Sequence, residues 1–337
     1  MTLPEAVAGV TLAVLVLYVL LGGADFGGGV WDLFARGPRA RRQRDVIAGA
    51  IGPIWEANHV WMIVAVVLLF SAFPTGFSVA MTALHIPITL MLVGIVLRGT
   101  SFVFRKVAPP PDGAESGWQT TFAVSSLLTP VMIGVVVGAV TVPGIGYENG
   151  VVTGGFVRPW LRPFPFLVGG FTLALFAWLA ACYLVLETTD RELRDDFRRR
   201  ALAAGWAVAA AGALVFAAGW AVAPAVVEHF LAGWGGASTL IGGVVGLAIS
   251  QGAMLRRRWG LARAGTVATV VLVLVGWAQG QMPWIVRGAV TIHDAAAPDV
   301  TLKIVLWILG LGSLILVPAF VYLYATFKGR MLLPGGE

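Results

Sequence analysis

Apolar runs of 20 or so residues, about nine in number and separated by short polar or proline- and glycine-bearing stretches, limit this chain to very few folds. A hydrocarbon core about 30 Å thick takes about 20 helical residues to cross. Inside it only helices or closed barrels satisfy their own backbone. On that ruler the spans fall near 5–34, 46–72, 76–104, 118–141, 164–187, 201–225, 237–255, 264–284 and 301–327. Gly37-Pro38, Pro74, Pro109-Pro110-Pro111 with Asp112 and Gly113, and Pro143-Gly144 punctuate the runs. The first run has no basic start and passes into a glycine-rich polar motif, so it reads as a retained helix rather than a cleaved signal.

Composition agrees. The chain is 58% hydrophobic and 12% charged, against roughly a quarter charged in soluble domains. The net charge of +6 does not indicate nucleic-acid binding, because the arginines sit in short clusters between apolar runs. These clusters set orientation. With the N-terminus outside, the cytoplasmic connections hold Arg36, Arg39, Arg41, Arg42 and Arg44; Arg105 and Lys106; Arg191, Arg194, Arg198, Arg199 and Arg200; Arg256, Arg257, Arg258 and Arg263; and Lys328 with Arg330. Outer connections hold only Arg158, Arg162, Arg287 and Lys303. Every loop then obeys the positive-inside rule, and the C-terminus is cytoplasmic.

The expected fold is an all-α integral membrane protein. Residues 1–141 form a first four-helix bundle, 142–163 an outer loop, and 164–284 a second four-helix bundle. Residues 285–337 carry an outer loop, a ninth helix and a cytoplasmic tail. Cys182 is the single cysteine and lies in an apolar run, which leaves no disulfide framework and no cysteine metal site.

Ionisable groups within a span cost about 2.5–3.5 kcal/mol each on insertion scales and are functional candidates by default. Asp25 stands in Gly22-Gly23-Ala24-Asp25-Phe26-Gly27-Gly28-Gly29, late in the first span. Glu56 stands in Gly52-Pro53-Ile54-Trp55-Glu56-Ala57-Asn58-His59-Val60-Trp61, within the second. Counted along continuous helices from Arg36 and Arg44, both acids lie roughly 16–18 Å from the cytoplasmic loop, at matching depth. His59 follows Glu56 by three residues and so shares its face. Two carboxyls and an imidazole at that depth suit proton movement, because desolvation brings carboxyl pKa values towards neutrality. A purely structural role, in which the acids hydrogen-bond backbone or indole to lock helices, is the alternative. Glycines around Asp25 leave room for water, and Trp55 and Trp61 pack around Glu56 or against a partner.

Arg98 either snorkels to the cytoplasmic interface or pairs with an acid. Asp32, near the end of the first span, reads as interfacial and is a second-rank relay candidate. His85 reads as a helix–helix hydrogen-bonder near the outer face, and His229 and His293 as solvated loop residues. None of the histidines is taken as a haem or metal ligand. The remaining tryptophans sit mostly near span ends, as interfacial anchors do.

The two motifs resemble those of subunit II of the cytochrome bd quinol oxidases. The resemblance runs from the first span to the last and includes Met282-Pro283 and Asp299-Val300-Thr301-Leu302-Lys303 before the ninth helix. It implies a complex of the bacterial cytoplasmic membrane that oxidises quinol and reduces dioxygen to water with cytoplasmic protons. The haems, of b type and d type or its b-type variant, would sit in subunit I, while this subunit supports that partner and lines part of a proton route. Asp25 and Glu56 match the motif acids, with Asn58 and His59 beside them. Some members carry aspartate at the position of Glu56 and glutamine at that of His59. A structural quinone occupies subunit II in some relatives, although no residue here marks such a site, and small single-helix accessory subunits join some complexes. From the residues alone the competing reading is a proton-coupled secondary transporter, which would use the same acids around a midplane site.

Overall fold

In the computed structural model, residues 2–52, 54–107 and 117–328 are described. The Pro109-Pro110-Pro111 breaker with Asp112 and Gly113, Pro53 of the second motif, and Arg330 lie outside them. In chain order the elements are α1 (Leu3–Leu33), α2 (Ala40–Ile51), α3 (Trp55–Ala72), α4 (Pro74–Ala83), α5 (His85–Val107), α6 (Gly117–Thr141), β1 (Gly146–Glu148), β2 (Val151–Thr153), α7 (Pro163–Glu187), α8 (Arg191–Val222), α9 (Pro224–Ala232), α10 (Trp234–Leu255), α11 (Trp259–Gln281), β3 (Trp284–Val286), β4 (Val290–Thr291), α12 (Ile292–Ala295) and α13 (Asp299–Lys328). Among the described residues nine helices are long and apolar enough to cross a membrane: α1, α3, α5, α6, α7, α8, α10, α11 and α13. That is the number expected from the apolar runs.

The second span departs from expectation. It does not run unbroken from residue 46, since α2 stops at Ile51 and α3 starts at Trp55. Helix α2 buries Gln43, Ile47 and Ile51, spaced by four residues, and turns Arg41 and Arg42 outward. This is the one-sided pattern of a helix lying on a surface rather than crossing a bilayer. The third run is also interrupted: Pro74 opens the short α4, and Leu84 separates it from α5. Conversely, α8 reaches back into the expected loop. Asp190 caps it by accepting from the backbone N–H groups of Glu192 and Leu193, which compensates donors that a helix start leaves unpaired.

Packing follows the hairpins. Helices α5 and α6, α7 and α8, and α10 and α11 pair antiparallel, and α7, α8, α10 and α11 close on one another. Helix α1 packs on α3, α6 and α7, so the apolar core is shared along the whole chain. Phe26, Ile47, Ile51 and Phe122 meet Phe176, Trp178, Leu179 and Phe197 within it. Helix α13 lies at the side against α3 and α1. Most of its surface is uncovered, as its membrane-length window is 0% buried.

The two ends differ in chemistry. One carries the antiparallel pairs β1–β2 and β3–β4, with α12 tucked against α4. The imidazole of His293 there approaches the Glu5 carboxylate at 3.6 Å and remains exposed, as expected for it. The other end is rich in arginine. Arg39 donates two 2.8 Å hydrogen bonds to Asp196, Gln43 donates a third at 2.7 Å, and Arg200 donates to Gln43 at 2.6 Å. Helix α2 is thereby held to the first turns of α8.

Candidate functional site

The glycines on either side of Asp25 place α1 unusually close to α7. A Cβ on Gly27 would overlap the Phe176 carbonyl and stand 2.7 Å from the Ala180 methyl, and one on Gly23 would stand 2.9 Å from the Phe176 ring. Gly23 and Gly27 therefore admit a helix, while Asp25 and Gly28 border a cavity. A Cβ on Gly22 would meet Tyr18 at 2.8 Å, within α1 itself. Small residues that let backbones touch are a standard means of packing membrane helices, where apolar burial alone gives no driving force.

This packing leaves the Asp25 side chain 4% exposed, facing α3 and α5. Its carboxylate accepts a 2.8 Å hydrogen bond from the Asn58 amide. Arg98 donates at 2.8 Å to the Asp25 backbone carbonyl. The Asn58 carbonyl in turn accepts from the Tyr324 hydroxyl at 2.8 Å. One acid of α1 is thus tied to α3, α5 and α13. Removing the hydroxyl in Tyr324→Phe deletes one link, and a fall in stability of about 1 kcal/mol is expected, read as an earlier thermal transition of the purified protein.

Arg98 does not snorkel. It is 1% exposed, and its guanidinium lies 4.8 Å from the Phe26 ring centre and 5.3 Å from that of Phe122. A cation held between aromatic faces recovers part of its lost hydration. Asp32, near the end of α1, is buried and pairs with Arg105 at 3.2 Å. This bridge fastens α1 to α5 at the arginine-rich end and keeps Asp32 apart from the Asp25 hydrogen bonds.

Glu56 is not brought to Asp25. It lies in the first turn of α3 with its side chain exposed, on a face different from that of the buried Asn58. The matching-depth argument assumed one helix from Arg44 to Glu56, and the break between α2 and α3 removes that premise. The positive end of the α3 dipole favours an acid at this position. His59 is partly buried among the rings of Tyr18, Phe26 and Trp55, at centroid distances of 5.9, 5.6 and 6.1 Å. Its Nδ1 has no hydrogen-bond partner among the described residues. The two tryptophans do not enclose Glu56 either. Trp55 lies over Gly99 and beside Phe102, and Trp61 packs on Phe320 of α13.

Below Asp25 a cavity of about 390 Å³ opens between α1, α2, α3, α7, α11 and α13. Its polar wall is made by Asp25, Asn58, Tyr183, Glu187, Arg263 and Tyr324, and the rest is aliphatic. No histidine lines it, so it offers no imidazole to a haem iron. No group of three or more His, Cys, Asp or Glu side chains suited to a metal ion occurs among the described residues.

Comparison with known proteins decides the family. The model of "Cytochrome bd terminal oxidase subunit II" matches residues 3–327. The chain belongs to that family. As a subunit II it is a multi-pass protein of the bacterial inner membrane, and the family's complexes are oxidoreductases of aerobic respiration. It is 26% identical over 193 residues to "Cytochrome bd ubiquinol oxidase subunit 2" of Bacillus subtilis, covering 56% of each chain. It is likewise 26% identical over 205 residues to "Cytochrome bd-I ubiquinol oxidase subunit 2" of Escherichia coli K12, covering 59% of this chain and 52% of that one. The chain thus spans about half the length of the curated relatives it matches. The bd oxidase structure from Geobacillus thermodenitrificans superposes with a TM-score of 0.76 over 97% of this chain and 99% of that one, at 16% identity, which establishes a shared fold.

In this subunit II, the residues that sequence reasoning missed are Tyr183, Glu187, Arg263 and Tyr324. Arg263 counted only among the charges of a cytoplasmic connection, and Glu187 and the tyrosines were not singled out. Only a hydroxyl placed four residues before the end of α13 hinted that this helix returns to a polar centre.

Proposed function

We propose that the chain is the haem-free subunit of a bd-type quinol oxidase, with the N-terminus outside and the arginine-rich end in the cytoplasm. It supports a haem-bearing subunit I and carries protons towards the site where that partner reduces dioxygen with electrons from quinol. The observation that carries this reading is the buried Asp25 carboxylate at the head of a cavity, hydrogen-bonded by Asn58 and close to the backbone-anchored Arg98, in a chain of the subunit II family.

Each residue has a definable part. Asp25 takes up and releases the proton at its carboxylate. Asn58, fixed by Tyr324, holds that carboxylate in one orientation. Arg98, bonded to the Asp25 backbone carbonyl, fixes this turn of α1 to α5. His59, packed among Tyr18, Phe26 and Trp55, keeps one buried ring nitrogen unpartnered among the described residues. Glu56, exposed on the membrane-crossing α3, is costly in lipid and is best accommodated against a polar group of subunit I. Haem, when present in the complex, supplies the electron and oxygen chemistry from the partner.

The test is co-expression with and without the neighbouring large-subunit gene in a host lacking other terminal oxidases, followed by a reduced-minus-oxidised haem spectrum. Haem in the copurified pair alone, together with quinol-dependent oxygen uptake, is the expected result. Haem in the lone chain overturns the haem-free assignment. A chain that copurifies with neither haem nor partner turns the reading to a proton-coupled transporter.

A further inference from the structure

The cavity below Asp25 ends on a second carboxylate that the sequence motifs do not contain. Glu187 is the last residue of α7, partly exposed, and Arg263 stands one turn into α11. Both lie at the arginine-rich end, where Arg194 donates to the backbone carbonyl of Thr188 and Arg198 to that of Met254. The same cavity reaches Asp25 on α1. Its ionisable groups are Asp25 from α1, Tyr183 and Glu187 from α7, Arg263 from α11 and Tyr324 from α13, while α2 contributes only Ala50 and Ile51 and α3 the neutral Asn58. A volume of about 390 Å³ has room for on the order of ten waters at liquid density. Polar groups occur along its wall to hold them.

We infer that Glu187 is the cytoplasmic intake group of a proton path contained within this chain, running from Glu187 through the cavity to Asp25. The inference rests on the oxidase reading above. It places the intake between α7 and α11, rather than at Glu56 on the outward side of α3. A proton from the cytoplasm adds to the Glu187 carboxylate, passes along water between Tyr183 and Tyr324, and adds to the Asp25 carboxylate. It leaves Asp25 for the oxygen-reducing centre of the partner. Protons alone move, and no electron crosses this chain. Arg263 lines the same cavity and places a positive charge on its wall near the arginine-rich end. The aliphatic remainder of the wall shields the path from other ions.

The experiment uses the purified two-subunit complex in proteoliposomes, with Glu187→Gln, Glu187→Asp, Val267→Phe and Asp25→Asn. Glu187→Gln is expected to slow oxygen uptake by about 100-fold, most strongly at alkaline pH, with an unchanged haem spectrum. Anaerobic haem reduction by quinol keeps its rate, whereas reoxidation by dioxygen slows. Glu187→Asp restores most of the rate, which a packing role would not do. Val267→Phe, which fills the cavity from α11 and leaves every charge in place, slows reoxidation in the same way and keeps the test decisive if Glu187→Gln does not assemble. Full turnover in Glu187→Gln or Val267→Phe, with Asp25→Asn slow, overturns the intake assignment alone. Full turnover in Asp25→Asn overturns the relay reading on which it rests.

Discussion

Replacing Asp25 with asparagine is expected to leave the two-subunit complex assembled with its full haem content while lowering quinol-driven oxygen uptake by about 100-fold, the lower end of what a positioned proton-transfer group contributes. The change keeps shape and hydrogen bonding. An asparagine carbonyl oxygen can still accept from the Asn58 amide, which now donates to Asp25 at 2.8 Å. The Arg98 bond goes to the backbone carbonyl and does not depend on the side chain. Only the capacity to bind and release a proton is lost. A haem spectrum with a parallel oxygen-electrode trace separates the two effects, and a fully active Asp25→Asn complex would remove Asp25 from the path. Asp25→Leu should behave worse, since it also leaves the buried Asn58 amide without its acceptor, at about 1–3 kcal/mol.

The second large effect concerns assembly. Gly27→Ala adds one methyl group, which in an exposed helix stabilises by about 1 kcal/mol. Here the added carbon overlaps the backbone carbonyl of Phe176 and crowds the Ala180 methyl. Neither neighbour can rotate away, because one is main chain and the other has no free torsion to use. Relief requires α1 and α7 to separate, which disturbs the core at Phe26, Phe176 and Leu179. Overpacking of this kind costs at least about 3 kcal/mol. Little or no intact complex should be recovered from the membrane. Gly9→Ala makes the same chemical change on the same helix where nothing lies within 4 Å, and it should yield normal amounts. Equal yields from the two variants would show that α1 and α7 do not approach as closely as described.

The two predictions draw on different kinds of legibility. Asp25 was readable as a candidate because a carboxylate in an apolar run is expensive wherever the neighbours lie. Glu56 was readable by the same rule, yet its position was misjudged. Residue counting assumes a continuous helix, and the chain breaks between Ile51 and Trp55. Asn58 rather than His59 supplies the partner of Asp25, because a neutral amide carries no cost that marks it out in sequence. Arg98 was left between two environments, and the aromatic faces of Phe26 and Phe122, which come from different helices, decided for burial. Glu187, Arg263 and Tyr324 stand far apart along the chain and meet on one cavity only because the end of α7, the start of α11 and the last turns of α13 come together there.

What the sequence determined by itself is what depends on local composition: membrane-crossing helices in the number expected, a charge bias between the connections, and an unavoidable buried acid. These follow from the energy of single residues and segments in hydrocarbon, which is legible without neighbours. The tertiary structure alone decided which polar groups face one another, where the second span breaks, and that Gly23 and Gly27 admit a neighbouring helix. Those outcomes depend on how close two backbones can approach, a property of pairs of surfaces that no single segment carries.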